Sequence, residues 1–120
     1  MRGVNRVVLL GNLGSDPDVR KLKENLKVAK VSLATSETYR DKEGQKQTQT
    51  EWHTILLWNV LADLAELYLR KGHQIYVEGK LRTRNYEDSH GVRKYVTEVV
   101  ADQILLLERV CKINCVRIIF

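Results

Sequence analysis

One hundred and twenty residues is the length of one domain with one hydrophobic core, and an apolar content of 43% is enough to build it. Seven glycines and a single proline exclude a collagen-like or low-complexity chain. Lysine and arginine outnumber aspartate and glutamate 20 to 15, a formal charge of +5 that favours polyanionic partners yet is small enough to serve solubility alone.

No uncharged apolar run approaches the roughly 18–20 residues of a membrane span, so no membrane partner is expected. Met1–Arg6 carries no apolar signal segment. The two cysteines, Cys111 and Cys115, both fall in the last ten residues and organise no disulfide framework or zinc knuckle. A soluble protein of a reducing, cytoplasmic compartment is the expectation.

Val4 to Leu10 is a β-branched, apolar run that stops in the turn chemistry of Gly11-Asn12-Leu13-Gly14 and Ser15-Asp16-Pro17-Asp18. Val28 to Thr35 alternates, with Ala29, Val31, Leu33 and Thr35 on one side and Lys30, Ser32 and Ala34 on the other. Residues 36–50 are polar and charged and read as a long, mobile connection. Glu51 to Trp58 is a third strand. Leu61, Leu64, Ala65 and Tyr68 then recur at helical spacing, with Asn59 as N-cap and Arg70-Lys71-Gly72 as the stop. His73 to Arg84 is a fourth strand, Glu87-Asp88-Ser89-His90-Gly91 a hairpin turn, and Val92 to Ala101 a fifth strand. Five short strands with one short helix between the third and fourth predict an all-β, five-stranded OB-fold barrel with the helix plugging one end.

Strand parity predicts the faces. Ile75, Val77, Gly79, Leu81 and Thr83 form a core face, while Tyr76, Lys80, Arg82, Arg84 and Tyr86 form a cationic stripe bracketed by aromatics. Trp52, Thr54, Leu56 and Trp58 share a face of the third strand. Unpaired bases stack on aromatic rings while cations follow the phosphates, and a duplex hides those π-faces. Either tryptophan alone also fits a core, and the cations alone a solvated strand face. Alternation, aromatics and strand order together favour nucleic acid.

Several segments resemble the bacterial single-stranded DNA-binding protein family: Gly3-Val4-Asn5-Arg6-Val7-Val8-Leu9-Leu10-Gly11-Asn12-Leu13-Gly14, Asp16-Pro17-Asp18-Val19-Arg20, Ser32-Leu33-Ala34-Thr35-Ser36-Glu37, Thr50-Glu51-Trp52-His53, Tyr68-Leu69-Arg70-Lys71-Gly72, Tyr76-Val77-Glu78-Gly79, Leu81-Arg82-Thr83-Arg84 and Thr97-Glu98-Val99-Val100. They occur in order over residues 1–106. The resemblance implies an OB-fold homotetramer that coats single-stranded DNA in replication, recombination and repair. It places base-stacking aromatics at Tyr39, Trp52, Trp58 and Tyr86, and phosphate contacts at Arg20, Lys71, Arg82 and Arg84, with Arg2, Arg40 and Lys46 as further basic positions. Val4, Val8, His53 and Tyr76 are the expected subunit contacts, His53 being equally readable as an ordinary strand histidine. Tyr39 and Tyr86 stand where relatives often carry tryptophan, and Trp58 where phenylalanine is common. Lys21 to Lys27 departs from the Asn-Gly turn usual there.

No phosphate-binding loop, catalytic carboxylate pair or metal-ligand spacing is present in the sequence, so no enzyme, cofactor or metal is expected. A generic RNA-binding OB module and a primosome-accessory interaction protein are the competing readings. Residues 107–120 carry +2 of the net charge and lack the Gly- and Pro-rich linker and acidic tip of the family. Tail-mediated recruitment of replication and repair proteins is therefore expected to be weak, with the segment packing on the barrel or a neighbouring subunit.

Overall fold

The computed structural model describes residues 2–110 and 115–118. In chain order the elements are β1 (Val7–Leu13), β2 (Asp18–Lys23), β3 (Leu26–Arg40), β4 (Lys46–Trp58), α1 (Val60–Tyr68), β5 (Gln74–Glu87), β6 (Arg93–Val110) and β7 (Cys115–Ile118). Alternation along the strands drives the assembly, because it gives each strand one apolar face to bury. Ala29, Val31 and Leu33 of β3, Ile55 and Leu57 of β4, Ile75 and Val77 of β5, and Val99, Ala101, Ile104 and Leu106 of β6 all point into one core.

Those faces close on themselves. β1 pairs antiparallel with β5, β5 with β6, and β3 with β4, while β6 runs parallel to β4 at Ile55–Val99 and Leu56–Val100. The circle is completed where β1 meets β3 at Asn12–Ala34 and Leu13–Leu33. The closed path β1-β5-β6-β4-β3 is a five-stranded barrel, and α1 falls between its third and fourth strands in chain order. This is the expected OB fold.

Barrel curvature depends on close backbone approach at Gly79. The register between β5 and β6 slips after Glu78–Gln103 to Gly79–Ala101, which leaves Asp102 as the extra residue of a bulge. A methyl group on Gly79 would strike the Val100 carbonyl, so the bend is open only to glycine. Because the extra residue lies in β6, the parity of β5 is preserved.

α1 buries Ala62 and Ala65 and is followed by the fully buried Leu69; it packs against β3 and β4. Tyr68, expected in its apolar stripe, is about half exposed, and Leu69 takes the inward place. Asn59 stands at the N-cap position, its carbonyl accepting the Asp63 N–H at 3.0 Å, but its side chain makes no capping bond. Its Oδ1 instead accepts the Lys27 N–H at 3.2 Å, which ties the helix entry to β3. The helix ends before Arg70, whose Nη1 donates to the Glu66 and Leu69 carbonyls, and Gly72 turns the chain at φ 91° to donate its N–H to Leu13.

Other sequence expectations change along the strands. Residues 36–50 are not a mobile connection: β3 and β4 stay paired out to Arg40–Lys46. Leu81 and Thr83 are exposed, because β5 and β6 likewise run beyond the barrel as a two-stranded arm with no core on either face. Asp18–Lys23, where the sequence patterning marks Asp18 as turn and gives the rest no element, is an edge strand on β3. β6 passes residue 106 without a break and pairs with β7 at Leu107–Ile118 to Val110–Cys115. Part of the C-terminal segment thus joins the sheet through its backbone, while residues 111–114 and 119–120 lie outside the described residues.

Candidate nucleic-acid interface

The register aligns outward-facing residues from separate strands. Arg20, Val28 and Trp58 form one row across β2, β3 and β4, and Asp18, Lys30, Leu56, Val100 and Lys80 form the next. Between β2 and the root of the β5–β6 arm lies a groove of about 550 Å³. Leu22, Val28, Leu56 and Trp58 make its apolar part, Arg20, Lys30, Arg82 and Arg84 its basic part, and Asp18 and Glu98 its acidic part. Four cations against two carboxylates, beside an indole, suit a ligand with flat apolar rings and a negative backbone.

Glu98 governs the electrostatics of the groove. It is the buried charged residue of the described core, at 2% exposure. Arg84, directed at it from the neighbouring strand, donates Nε to Oε1 at 2.8 Å and Nη2 to Oε2 at 3.5 Å. A buried carboxylate is tolerable only when paired in this way. The hydrogen bond from Arg84 to Glu98, with the attraction of its charge, holds the guanidinium above its already high ordinary pKa. The guanidinium carbon also lies 6.0 Å from the centre of the Tyr86 ring, so cation and aromatic form one unit.

The expected contacts therefore divide. Arg20, Trp58, Arg82 and Arg84 share the groove, with Tyr86 beside Arg84 on the arm. Arg20 also meets Asp18 at 3.4 Å on the surface. Trp52 stands farther along β4, 61% exposed, with the outer edge of its indole beside Gly14 of the β1–β2 connection. Lys71 lies beyond the groove, in the turn after α1, where its backbone N–H donates to Asp16 at 2.8 Å. Tyr39 is at the far end of the β3–β4 arm and half exposed. Sequence reading missed Lys30, Leu22 and Glu98 as groove residues. Lys30 carried a signal, since its alternation already placed it opposite Ala29 and Val31. Glu98 carried none, because its partner is fixed only by the β5–β6 register.

The expected subunit contacts lie elsewhere. Val4 is 94% exposed, ahead of β1, and Val8 and Leu10 are about half exposed on the outside of β1. Leu10, Tyr76 and Leu105 form a row across β1, β5 and β6. Tyr76 donates its hydroxyl to Glu78 Oε1 at 2.5 Å, and Arg6 reaches the same oxygen at 3.2 Å. The tyrosine hydroxyl holds the Glu78 carboxyl below the ordinary carboxylate range, and the carboxylate in turn raises Tyr76. His53, partly buried, shares a hydrogen bond of 2.9 Å with Thr35.

Among the described residues no group of three or more His, Cys, Asp or Glu converges as a metal site, and no described helix is long and apolar enough to cross a membrane. The described residues form a closed OB-type barrel that carries on its outer face a basic groove with Trp58 in its wall. Residues 4–107 match the single-strand binding protein family. The chain belongs to that family. It is similar to a Plasmodium falciparum SSB solved in complex with ssDNA, at 33% identity and TM-score 0.84 over 90% of this chain and 98% of that one. It is also similar to a deletion mutant of the single-stranded DNA-binding protein from Thermus aquaticus, at 34% identity and TM-score 0.77 over 89% of this chain. The matched region spans about half, 52%, of the Thermus chain.

Proposed function

We propose that the protein binds single-stranded DNA with little sequence preference, stacking bases on Trp58, Trp52, Tyr86 and Tyr39 and drawing phosphates to Arg20, Arg82, Arg84 and Lys71. The observation that carries this reading is the groove that joins Trp58 to Arg20, Arg82 and Arg84 on the outside of the barrel. Rings and cations in alternation serve any base sequence, because every base has a π-face and every nucleotide a phosphate. Such coating serves replication, recombination and repair.

The acting form is a homotetramer in this reading. The row of Leu10, Tyr76 and Leu105, with Val8 beside it, leaves apolar surface on the outside of the sheet, and β3 reaches β1 only at Asn12 and Leu13. An apolar face next to an incompletely paired strand favours a second copy. Val4, Val8, Tyr76 and His53 are the contacts assigned to it. A stable monomer by light scattering at micromolar concentration overturns the tetramer without touching the DNA reading.

The deciding experiment is a poly-dT titration followed by tryptophan fluorescence at two salt concentrations, with poly-U and duplex as competitors. Quenching on poly-dT with weak competition by duplex is expected. Arg82→Ala, which among the described residues breaks no ion pair, should reduce the salt slope by about 0.7, the value of one single-strand phosphate contact. Equal competition by duplex overturns the single-strand reading, and stronger binding of poly-U turns it towards RNA. Residues 107–120 hold one acid against three bases, so this segment itself is proposed to be a poor ligand for basic docking pockets, which need the opposite charge.

A further inference from the structure

We infer that Gly14 is a positioning residue for Trp52, leaving room for the outer edge of the indole against the β1–β2 connection while the ring stays exposed for stacking; this rests on the proposed role of Trp52 in binding single-stranded DNA. Trp52 pairs with Ala34 on β3, and the outer edge of its ring reaches the β1–β2 connection. There a methyl group on Gly14 would collide with the outer atoms of the indole. The connection itself is fixed from three directions. Gly14 donates its N–H to Ser32 at 2.9 Å, the Leu13 carbonyl accepts the Gly72 N–H at 2.8 Å, and Asp16 accepts the Lys71 N–H at 2.8 Å. The seat is therefore rigid although the ring it carries is 61% exposed.

A tryptophan on an open strand surface explores several rotamers, and ordering it on a ligand costs affinity. A ring already held against backbone avoids that cost. Glycine is required by space and not by backbone conformation, since positive φ among the glycines occurs at Gly44, Gly72 and Gly91 and not at Gly14. Gly14→Ala is thus compatible with the fold, and the atoms that must yield belong to the far end of the Trp52 side chain. The same segment links Trp52 to the Lys71 turn through Asp16, so one short loop sets the spacing between an aromatic and a cationic contact.

The test is a double-mutant cycle of Gly14→Ala and Trp52→Ala, read as affinity for oligo-dT at fixed salt, with thermal midpoints recorded. Gly14→Ala should weaken binding about ten-fold, within the range of one stacked base, and change affinity less than two-fold when Trp52 is already alanine. If Trp52→Ala leaves affinity unchanged, the stacking role of Trp52 fails and the proposal with it. If Trp52→Ala weakens binding while Gly14→Ala does not, or if Gly14→Ala acts equally without the indole, the seat alone is wrong. A second measurement does not depend on the folding of Gly14→Ala. In a Trp58→Phe protein the remaining tryptophan reports Trp52 alone, and its anisotropy decay without DNA should show a ring fixed on the nanosecond scale. Free rotation there overturns the proposal.

Discussion

Two arms leave the barrel, and they are closed by the same turn. In the β3–β4 arm Asp41 accepts the N–H groups of Glu43 and Gln45 at 2.9 and 2.8 Å, and Gly44 takes φ 79°. In the β5–β6 arm Asp88 accepts those of His90 and Val92 at 2.9 and 3.0 Å, and Gly91 takes φ 75°. Each arm carries a half-exposed tyrosine two residues before its aspartate, Tyr39 in one and Tyr86 in the other. The roots differ. The β5–β6 arm is anchored where Arg84 meets the buried Glu98, whereas the polar strands of the β3–β4 arm are joined across its faces by contacts such as Ser36–Thr50 at 3.0 Å. A shared turn chemistry thus supports one arm continuous with the basic groove and one reaching away from it.

The largest contrast should appear in stability. Arg84→Ala leaves the Glu98 carboxylate buried and unpaired, at a cost of about 2 kcal/mol; this is below the penalty of a fully enclosed pair because the arginine is half exposed. Arg40→Ala removes only a bond to the Gly44 carbonyl at the exposed tip, and should stay within about 0.5 kcal/mol. Urea unfolding of both variants checks the pair. The added change Glu98→Gln should recover part of the loss in Arg84→Ala, and failure to do so would place the cost outside the ion pair. DNA-binding losses in Arg84→Ala therefore mix lost phosphate contact with a loosened arm, and Arg82→Ala is the cleaner probe of charge.

A smaller contrast concerns the tyrosines. Tyr86→Ala removes a ring set beside the Arg84 guanidinium and the groove, and should weaken oligo-dT binding by about 1.5 kcal/mol. Tyr39→Ala removes a ring from the more distant arm, and about 0.5–1 kcal/mol is expected, growing as the oligonucleotide lengthens enough to reach it. Titrations with short and long oligo-dT separate the two. Equal losses on the shortest oligonucleotide would show that both arms contact the same nucleotides.

The arms also show where sequence patterning stops being informative. Within the barrel one face of each strand meets the core, so alternation at Ala29, Val31 and Leu33 or Ile75 and Val77 marks strand and face together. Both faces of an arm meet water, so Ser36 to Thr50 shows no alternation and reads as loop although its strands stay paired out to Arg40 and Lys46. The β5–β6 arm was legible as a strand because Arg82, Arg84 and Tyr86 alternate with Leu81 and Thr83, yet the same parity placed Leu81 in a core that ends at Gly79. The tryptophans were legible because Ile55 and Leu57 fix the inward face of β4. Seats and partners were not. Gly14 beside Trp52 and Glu98 beside Arg84 join residues distant in sequence, and only strand register brings them together.

The smallest effect expected is acid loosening of the arms, and it should be common to both. The Gln45 N–H, followed by that of Glu43, holds the Asp41 carboxyl below its ordinary value, and the Val92 N–H, followed by that of His90, does the same for Asp88. A carboxyl whose folded pKa is lowered contributes stability that is fully present above the ordinary aspartate value of about 3.9 and is lost as pH falls through the lowered one. The turns should therefore be unaffected between pH 6 and 8 and weaken only on the acid side of the aspartate range. Amide-exchange protection at Gln45 and Val92, corrected for the intrinsic pH dependence of exchange, should fall there in the native protein. Asparagine keeps the accepting oxygen and removes the charge, so in Asp41→Asn and Asp88→Asn the protection should be lower at neutral pH and flat through the acid range. Because the turns match but the roots differ, Asp88→Asn should loosen the tip of its arm while the segment near Glu98 stays protected, whereas Asp41→Asn should let exchange spread further down the arm towards Ser36. Protection that is independent of pH in the native protein would show that the two aspartates do not hold the turns, and loss confined equally to both tips would show that the roots do not set the stiffness of the two arms.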